Sequence, residues 1–176
     1  PYGKREVEVI LRQLGGRRSP KTTSCGRVLD AVSAILGICH ERTYEGEPAM
    51  KLESVAIGGR DALDLAPKLR GNTIETRPLI HDIFTQRGDL SVADLACSAQ
   101  SYLARGLAQM ALDQAERLNV KVIGFSGGVA YNERITQTIR GIVEQSDFRF
   151  VVHNLVPPGD GGVSLGQAVV AGLSSL

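Results

Sequence analysis

Residues 120–155 limit most what this chain can fold into. VKVIGFS at 120–126 is a β-branched, continuously apolar run, followed at once by Gly127-Gly128, a helical run over 130–145 and a second apolar run, FRFVVHNL, near 148–155. A short run with no polar alternation predicts a strand buried on both faces of a parallel sheet. Strands and helices alternating through short glycine turns predict α/β layering. A PPGDGG loop and a final helix over 162–174 complete this part.

The first 118 residues read differently. Val7, Ile10, Leu11 and Leu14 stand at helical spacing within KREVEVILRQL at 4–14, and a loop is expected at 15–20. Val28, Leu29, Val32, Ile35 and Leu36 set a helix near 25–37, with caps available at Thr22 to Ser24 and Gly37 as terminator. A further helix is expected at 48–58, with Pro48 in its first turn. A short extended piece should precede Pro78, and a short helix should run from 78 to about 87. The longest periodic segment is 91–118, N-capped by Ser91, where Gly106 implies close packing or a break. The chain is therefore mainly helical over 1–118 and alternating over 119–176, with a sheet that looks partial for a self-contained α/β domain.

An apolar fraction of 43% and a charged fraction of 22% are those of an ordinary globular protein. Lys plus Arg is 20 against 19 for Asp plus Glu, and no basic run occurs, so a nucleic-acid partner is disfavoured. No apolar stretch reaches the roughly 20 residues of a membrane span. Three cysteines without CxxC spacing give neither a disulfide framework nor a thiolate zinc site, and a reducing cytoplasm fits them. The first residue is Pro1, not Met, which suggests a fragment of a longer enzyme or a processed product.

Four constellations could carry chemistry. Gly127 and Gly128 expose backbone N–H groups at the positive end of the following helix, where a phosphate or nucleoside could approach, and Asn132 sits one turn into that helix. The alternative is a packing corner between strand and helix. In VPPGDGG at 156–162, Asp160 stands just before a helix, either capping it or serving as a carboxylate ligand for a divalent metal. Asp30 lies inside an otherwise apolar helix, so it faces solvent, pairs, or meets a polar ligand. Tyr44-Glu45-Gly46-Glu47 delivers two carboxylates at a helix start, which turn chemistry alone also explains. His40, His81 and His153 share no metal-like spacing and read as surface or capped histidines. Cys25 reads as a small residue in a packed turn, and FSGG is not a GxSxG nucleophile elbow.

In their order, TTSCGRVLDAVSAILGI, TYEGEPAMKLE, GFSGGVAYNERI and VPPGDGGVSLGQAVVA resemble the C-terminal part of the hydrogenase maturation carbamoyltransferases of the HypF family. More broadly they resemble the TsaD-like branch of the actin-like ATPase superfamily, over residues 22 to the end. The resemblance implies one lobe of an actin-like, RNase H-like fold that binds ATP or a carbamoyl-adenylate in a cleft between two lobes. It implies that Gly127 and Gly128 lie against the nucleotide, that Asn132 contacts the adenosine and that Asp30 lies near the ribose. It also implies that Gly46 and Glu47 form the turn that closes on the nucleoside, and that Asp160 helps hold a metal. The family's two metal-binding histidines lie upstream of the matched region, and no HxxxH occurs here, so Asp160 alone leaves that site incomplete. The implied partners are the missing upstream domains or lobe and a HypE-like acceptor. The acceptor's C-terminal cysteine would receive the carbamoyl group on the way to the cyanide ligands of [NiFe]-hydrogenase. No covalent nucleophile is assigned. The rivals are a TsaD-like transferase acting on tRNA, an actin-fold kinase lobe, and a non-enzymatic docking or nucleotide-sensing module.

Overall fold

The computed structural model of the chain describes residues 3–16 and 22–174. Most of the loop expected at 15–20 lies outside them. Among the described residues seven helices and two strands follow in the order α1 (Gly3–Gly15), α2 (Cys25–Ile35), α3 (Glu47–Val55), α4 (Arg77–Gln86), α5 (Val92–Arg117), β1 (Val122–Phe125), α6 (Glu133–Gln145), β2 (Arg149–Val152) and α7 (Val163–Leu173). Short 3-10 turns, Gly128–Tyr131 and Asp160–Gly162, precede α6 and α7.

The helix ends follow the expected chemistry. Ser24 caps α2 by accepting from Arg27 N–H, and Ser91 caps α5 by accepting from Asp94 N–H. Past α2, Gly37 takes φ +72°, the left-handed conformation that ends a helix cheaply only at glycine. Helix α5 is the axis of the fold. Its Leu95, Ala99, Tyr102, Leu103 and Ala108 are buried, and α2, α3, α4, α6 and β1 all pack on it. The Tyr102 hydroxyl donates to Glu75 C=O at 2.7 Å and accepts from Lys68 N–H at 3.0 Å, so this buried polar tip is satisfied. Gly106 does not break α5. A Cβ there would fall 2.9 Å from Ile74 Cδ1 and 3.3 Å from Pro67 Cβ, so the glycine lets the 67–74 segment lie close. Within it Leu69 and Ile74 form an antiparallel bridge, and the bridged Ile74 lies in the short extended piece expected before Pro78.

The strands pair in parallel, with Val122 opposite Arg149, Ile123 opposite Phe150, Gly124 opposite Val151 and Phe125 opposite Val152. Burial on both faces does not hold. Ile123 and Phe150 point into the core, while Val122 is half exposed. The reason is one-sided cover: α5 and α6 pack on the sheet, whereas α7 buries none of its residues. Helix α1 buries none either, and its Val7, Ile10, Leu11 and Leu14 all face outward.

Candidate functional site

The turn after β1 has a backbone that only glycine adopts easily. Gly127 takes φ +94° and ψ 176°. Gly128 has an ordinary φ and nothing within 4 Å of where a Cβ would stand. Both are exposed, and among the described residues the Gly128 and Val129 N–H groups have no backbone acceptor. Gly127 N–H donates to Pro158 C=O at 2.8 Å, so the glycine turn and the PPGDGG loop meet directly. The contact is extended by Gly159, whose Cβ position would lie 2.7 Å from Cε2 of Tyr131. Ser126 Oγ reaches the same Pro158 carbonyl at 3.1 Å and lies 2.8 Å from His153 Nε2.

Asn132 is not one turn into the helix. A 3-10 turn occupies 128–131, and Asn132 is the N-cap of α6, with Oδ1 accepting from Ile135 N–H at 2.9 Å and the residue 6% exposed. Glu53 Oε1 from α3 accepts from Glu133 N–H at 2.7 Å. The positive end of α6 is thus already covered by two of the protein's own oxygens. The open N–H groups belong to the preceding turn.

Asp30 and the 43–48 turn come together on another part of the surface. A cavity of about 380 Å³ is lined by Arg27, Asp30, His40, Arg42 and Pro48 among others. Burial pushes the Asp30 carboxyl above the usual range and nearby Glu45 adds to this, while Arg42 and Arg27 oppose it. Asp30 has no hydrogen bond or ion pair among the described residues. Gly46 takes φ +79° to start α3. The Glu47 carboxylate turns inward: it accepts from Thr43 N–H and Oγ1 and pairs with Lys51 Nζ at 2.7 Å. The Lys51 bond first, then the Thr43 N–H, hold its pKa down to about 2. Glu47 therefore shapes the turn rather than reaching out of it. The two halves are connected by α2, which packs on the 128–131 turn, and by the Glu53 contact.

Asp160 is exposed and makes no capping bond to the 3-10 turn or to α7, but it stands in the first turn of the 3-10 segment that leads into α7, where its charge suits the helix dipole. No group of three His, Cys, Asp or Glu side chains able to hold a metal occurs among the described residues. Burial raises the Cys25 thiol to about 11, as expected of a packed small residue. The sequence pattern gave no role to Ser126, which stands outside a GxSxG elbow, or to His153, which reads as a surface or capped histidine, and it did not single out Glu53. The first two were within reach: once 122–125 pairs in register with 149–152, residues 126 and 153 come next in line.

A family model described as "Carbamoyltransferase, Kae1-like Domain, second subdomain" matches residues 2–167. The chain is 39% identical over 170 residues to the probable carbamoyltransferase HypF of Methanocaldococcus jannaschii, covering 96% of this chain and 22% of that protein. Its fold superposes on the crystal structure of T. kodakarensis HypF with a TM-score of 0.87 at 43% identity, over 98% of this chain and 23% of the other. A structure of full-length HypF in a phosphate- and nucleotide-bound form gives a TM-score of 0.84 at 24% identity, over 97% and 23%. The chain thus spans less than a quarter of the length of each of these three proteins, and the matched portion is one subdomain. With a parallel strand pair packed on α5 and α6 and a glycine turn clasped to the PPGDGG loop, the chain belongs to the HypF carbamoyltransferase family, as the second subdomain of its Kae1-like domain.

Proposed function

We propose that this subdomain binds ATP and the carbamoyl-adenylate made from it, at the Gly127-Gly128 turn. The observation that carries this reading is the open turn itself: two exposed glycines, free N–H groups at Gly128 and Val129, and no protein atom near the Gly128 Cβ position. Backbone N–H groups in such a turn suit a phosphate or a nucleoside. A related HypF solved with phosphate and nucleotide bound supports the same ligand class. Asp30, in its cavity beside the Gly46 turn, would face the ribose, and Asn132, besides capping α6, would offer its amide to the adenosine.

In the complete enzyme, the carbamoyl carbon would form a bond to the sulfur of an acceptor cysteine on a HypE-like protein, reacting as the thiolate with its proton already lost to solvent. Its bond to the AMP oxygen would break, and AMP would leave. The subdomain's share is binding and orientation. A divalent metal does not fit the described residues alone, because Asp160 is an exposed carboxylate that belongs to no group of three ligand side chains among them, and no step is derived through a metal. The remaining partner would be the rest of the enzyme. The outward apolar faces of α1 and α7 are of the kind that cover another body, and the family describes this unit as a second subdomain. No helix among the described residues is long and apolar enough to cross a membrane.

Calorimetry with ATP and AMP tests the reading, using Gly128→Ala as the probe. The added methyl meets no protein atom and needs no unusual φ, so stability should change by less than about 0.5 kcal/mol. In the open turn it would block a ligand, and affinity should fall by about tenfold or more, a loss of about 1.4 kcal/mol. Absence of ATP and AMP binding to the parent chain, or unchanged affinity in Gly128→Ala, would refute it.

A further inference from the structure

We propose that Ser126 and His153 form a latch that positions the 157–161 loop against the Gly127-Gly128 turn, with His153 carrying its proton on Nε2. The Pro158 carbonyl can only accept, and two donors reach it: Gly127 N–H at 2.8 Å and Ser126 Oγ at 3.1 Å. A serine hydroxyl has one proton. With that proton on Pro158 C=O, the oxygen facing His153 Nε2 at 2.8 Å is an acceptor, and the ring nitrogen must donate.

This assignment separates a latch from a nucleophile. Activation of Ser126 would require His153 to take the hydroxyl proton on Nε2. Here the proton points at a carbonyl that cannot take it. The pair instead ties three elements together: the end of β1 through Ser126, the end of β2 through His153, and the loop through Pro158. The loop is seated a second time where Gly159 lies on the Tyr131 ring. Asp160 follows directly, so its placement relative to the glycine turn is set by His153 acting through Ser126. His153 and Ser126 are positioning residues.

For its consequence on ligand binding the latch rests on the nucleotide reading, but it is measured without nucleotide. Long-range proton–nitrogen NMR of the 176-residue chain should show His153 protonated at Nε2. Hydrogen exchange at the Gly127 amide should speed up about tenfold in Ser126→Ala and in His153→Ala, the effect of losing one net hydrogen bond. Amides in the middle of α5 should be unchanged. His153→Gln, whose side-chain amide can donate from a similar position, should restore protection to within about threefold of the parent. A bare Nε2 would overturn the latch, as would unaltered Gly127 exchange in both alanine variants. ATP affinity should fall in His153→Ala and recover in His153→Gln. If the parent binds no ATP, the nucleotide reading fails while the tautomer and the exchange rates still decide the latch.

Discussion

Replacing Asn132 with alanine removes the oxygen that accepts from Ile135 N–H at 2.9 Å, at a position only 6% exposed. N-cap deletions cost about 0.5–2 kcal/mol. Water cannot readily replace the lost acceptor at a buried cap, so the upper part of that range applies, about 1.5 kcal/mol. For a chain of this length that is a fall of roughly 3–6 °C in Tm. Asn132→Asp keeps a capping oxygen and places a negative charge at the helix N-terminus, which the dipole favours. The Glu53 carboxylate already sits on Glu133 N–H, and repulsion between the two should hold Asn132→Asp within about 0.5 kcal/mol of the parent. The aspartate lacks the amide donor proposed to meet the adenosine, so it should lose ATP affinity while keeping stability. Urea denaturation and calorimetry on the two variants separate the roles. The capping argument is refuted if Asn132→Ala lies within about 0.3 kcal/mol of the parent, or if Asn132→Asp is as destabilised as the alanine. Unchanged ATP binding in Asn132→Asp refutes the amide contact.

Glu47 sets an acid limit. Its folded pKa, held down to about 2, lies below the unfolded value of about 4.3, so its contribution is complete above the unfolded pKa and is lost as pH falls through the folded one. Glu47→Gln should flatten the dependence of urea stability on pH between about 5 and 2, and an unchanged slope would count against the Lys51–Thr43 clasp. Gly59→Ala should cost about 2–3 kcal/mol in urea denaturation. The new Cβ would fall 2.3 Å from Ala93 C=O, and moving the chain away would strain the Arg60 N–H to Asp94 bond of 2.9 Å. Gly141→Ala, inside α6 with nothing within 4 Å, should do the opposite and stabilise by about 0.5–1 kcal/mol. Equal effects at the two glycines would refute the packing argument.

The helices were legible because their signals are local. Ser24, Ser91, Gly37 and the 3.6-residue spacing around Leu29 and Val32 act within one or two turns, and α2 and α5 lie within two residues of where those signals place them. The strand at 122–125 was also legible, but its burial was not: composition reports that Val122 is apolar, not whether anything covers it. The periodicity of α1 has the same limit. Val7, Ile10, Leu11 and Leu14 make one apolar face, and the face is exposed. At the site, the proximity of Gly127 to the 157–161 loop depends on strand register, a non-local quantity. Asn132 was recognised as important, but its capping oxygen became visible only when the 3-10 turn moved the helix start onto it.

The carboxylates around the site divide by what they already hold. Glu47 has Lys51 and Thr43, and Glu53 has the Glu133 N–H, so each stabilises a turn or a helix end in the absence of any ligand. Asp30 and Asp160 have no hydrogen bond or ion pair among the described residues, although Asp30 lies in a cavity where burial already disfavours its charge. A carboxylate kept in such a place without a partner costs stability unless something else completes it. Removing Glu47 or Glu53 should therefore weaken the fold whether or not nucleotide is present. Substituting Asp160, which is exposed, should leave the fold alone, and replacing Asp30 with asparagine should leave it as stable as the parent or more so, while either change alters what the subdomain is proposed to bind. That division is the arrangement a binding site needs: its shape is fixed by satisfied groups, and its recognition is left to unsatisfied ones.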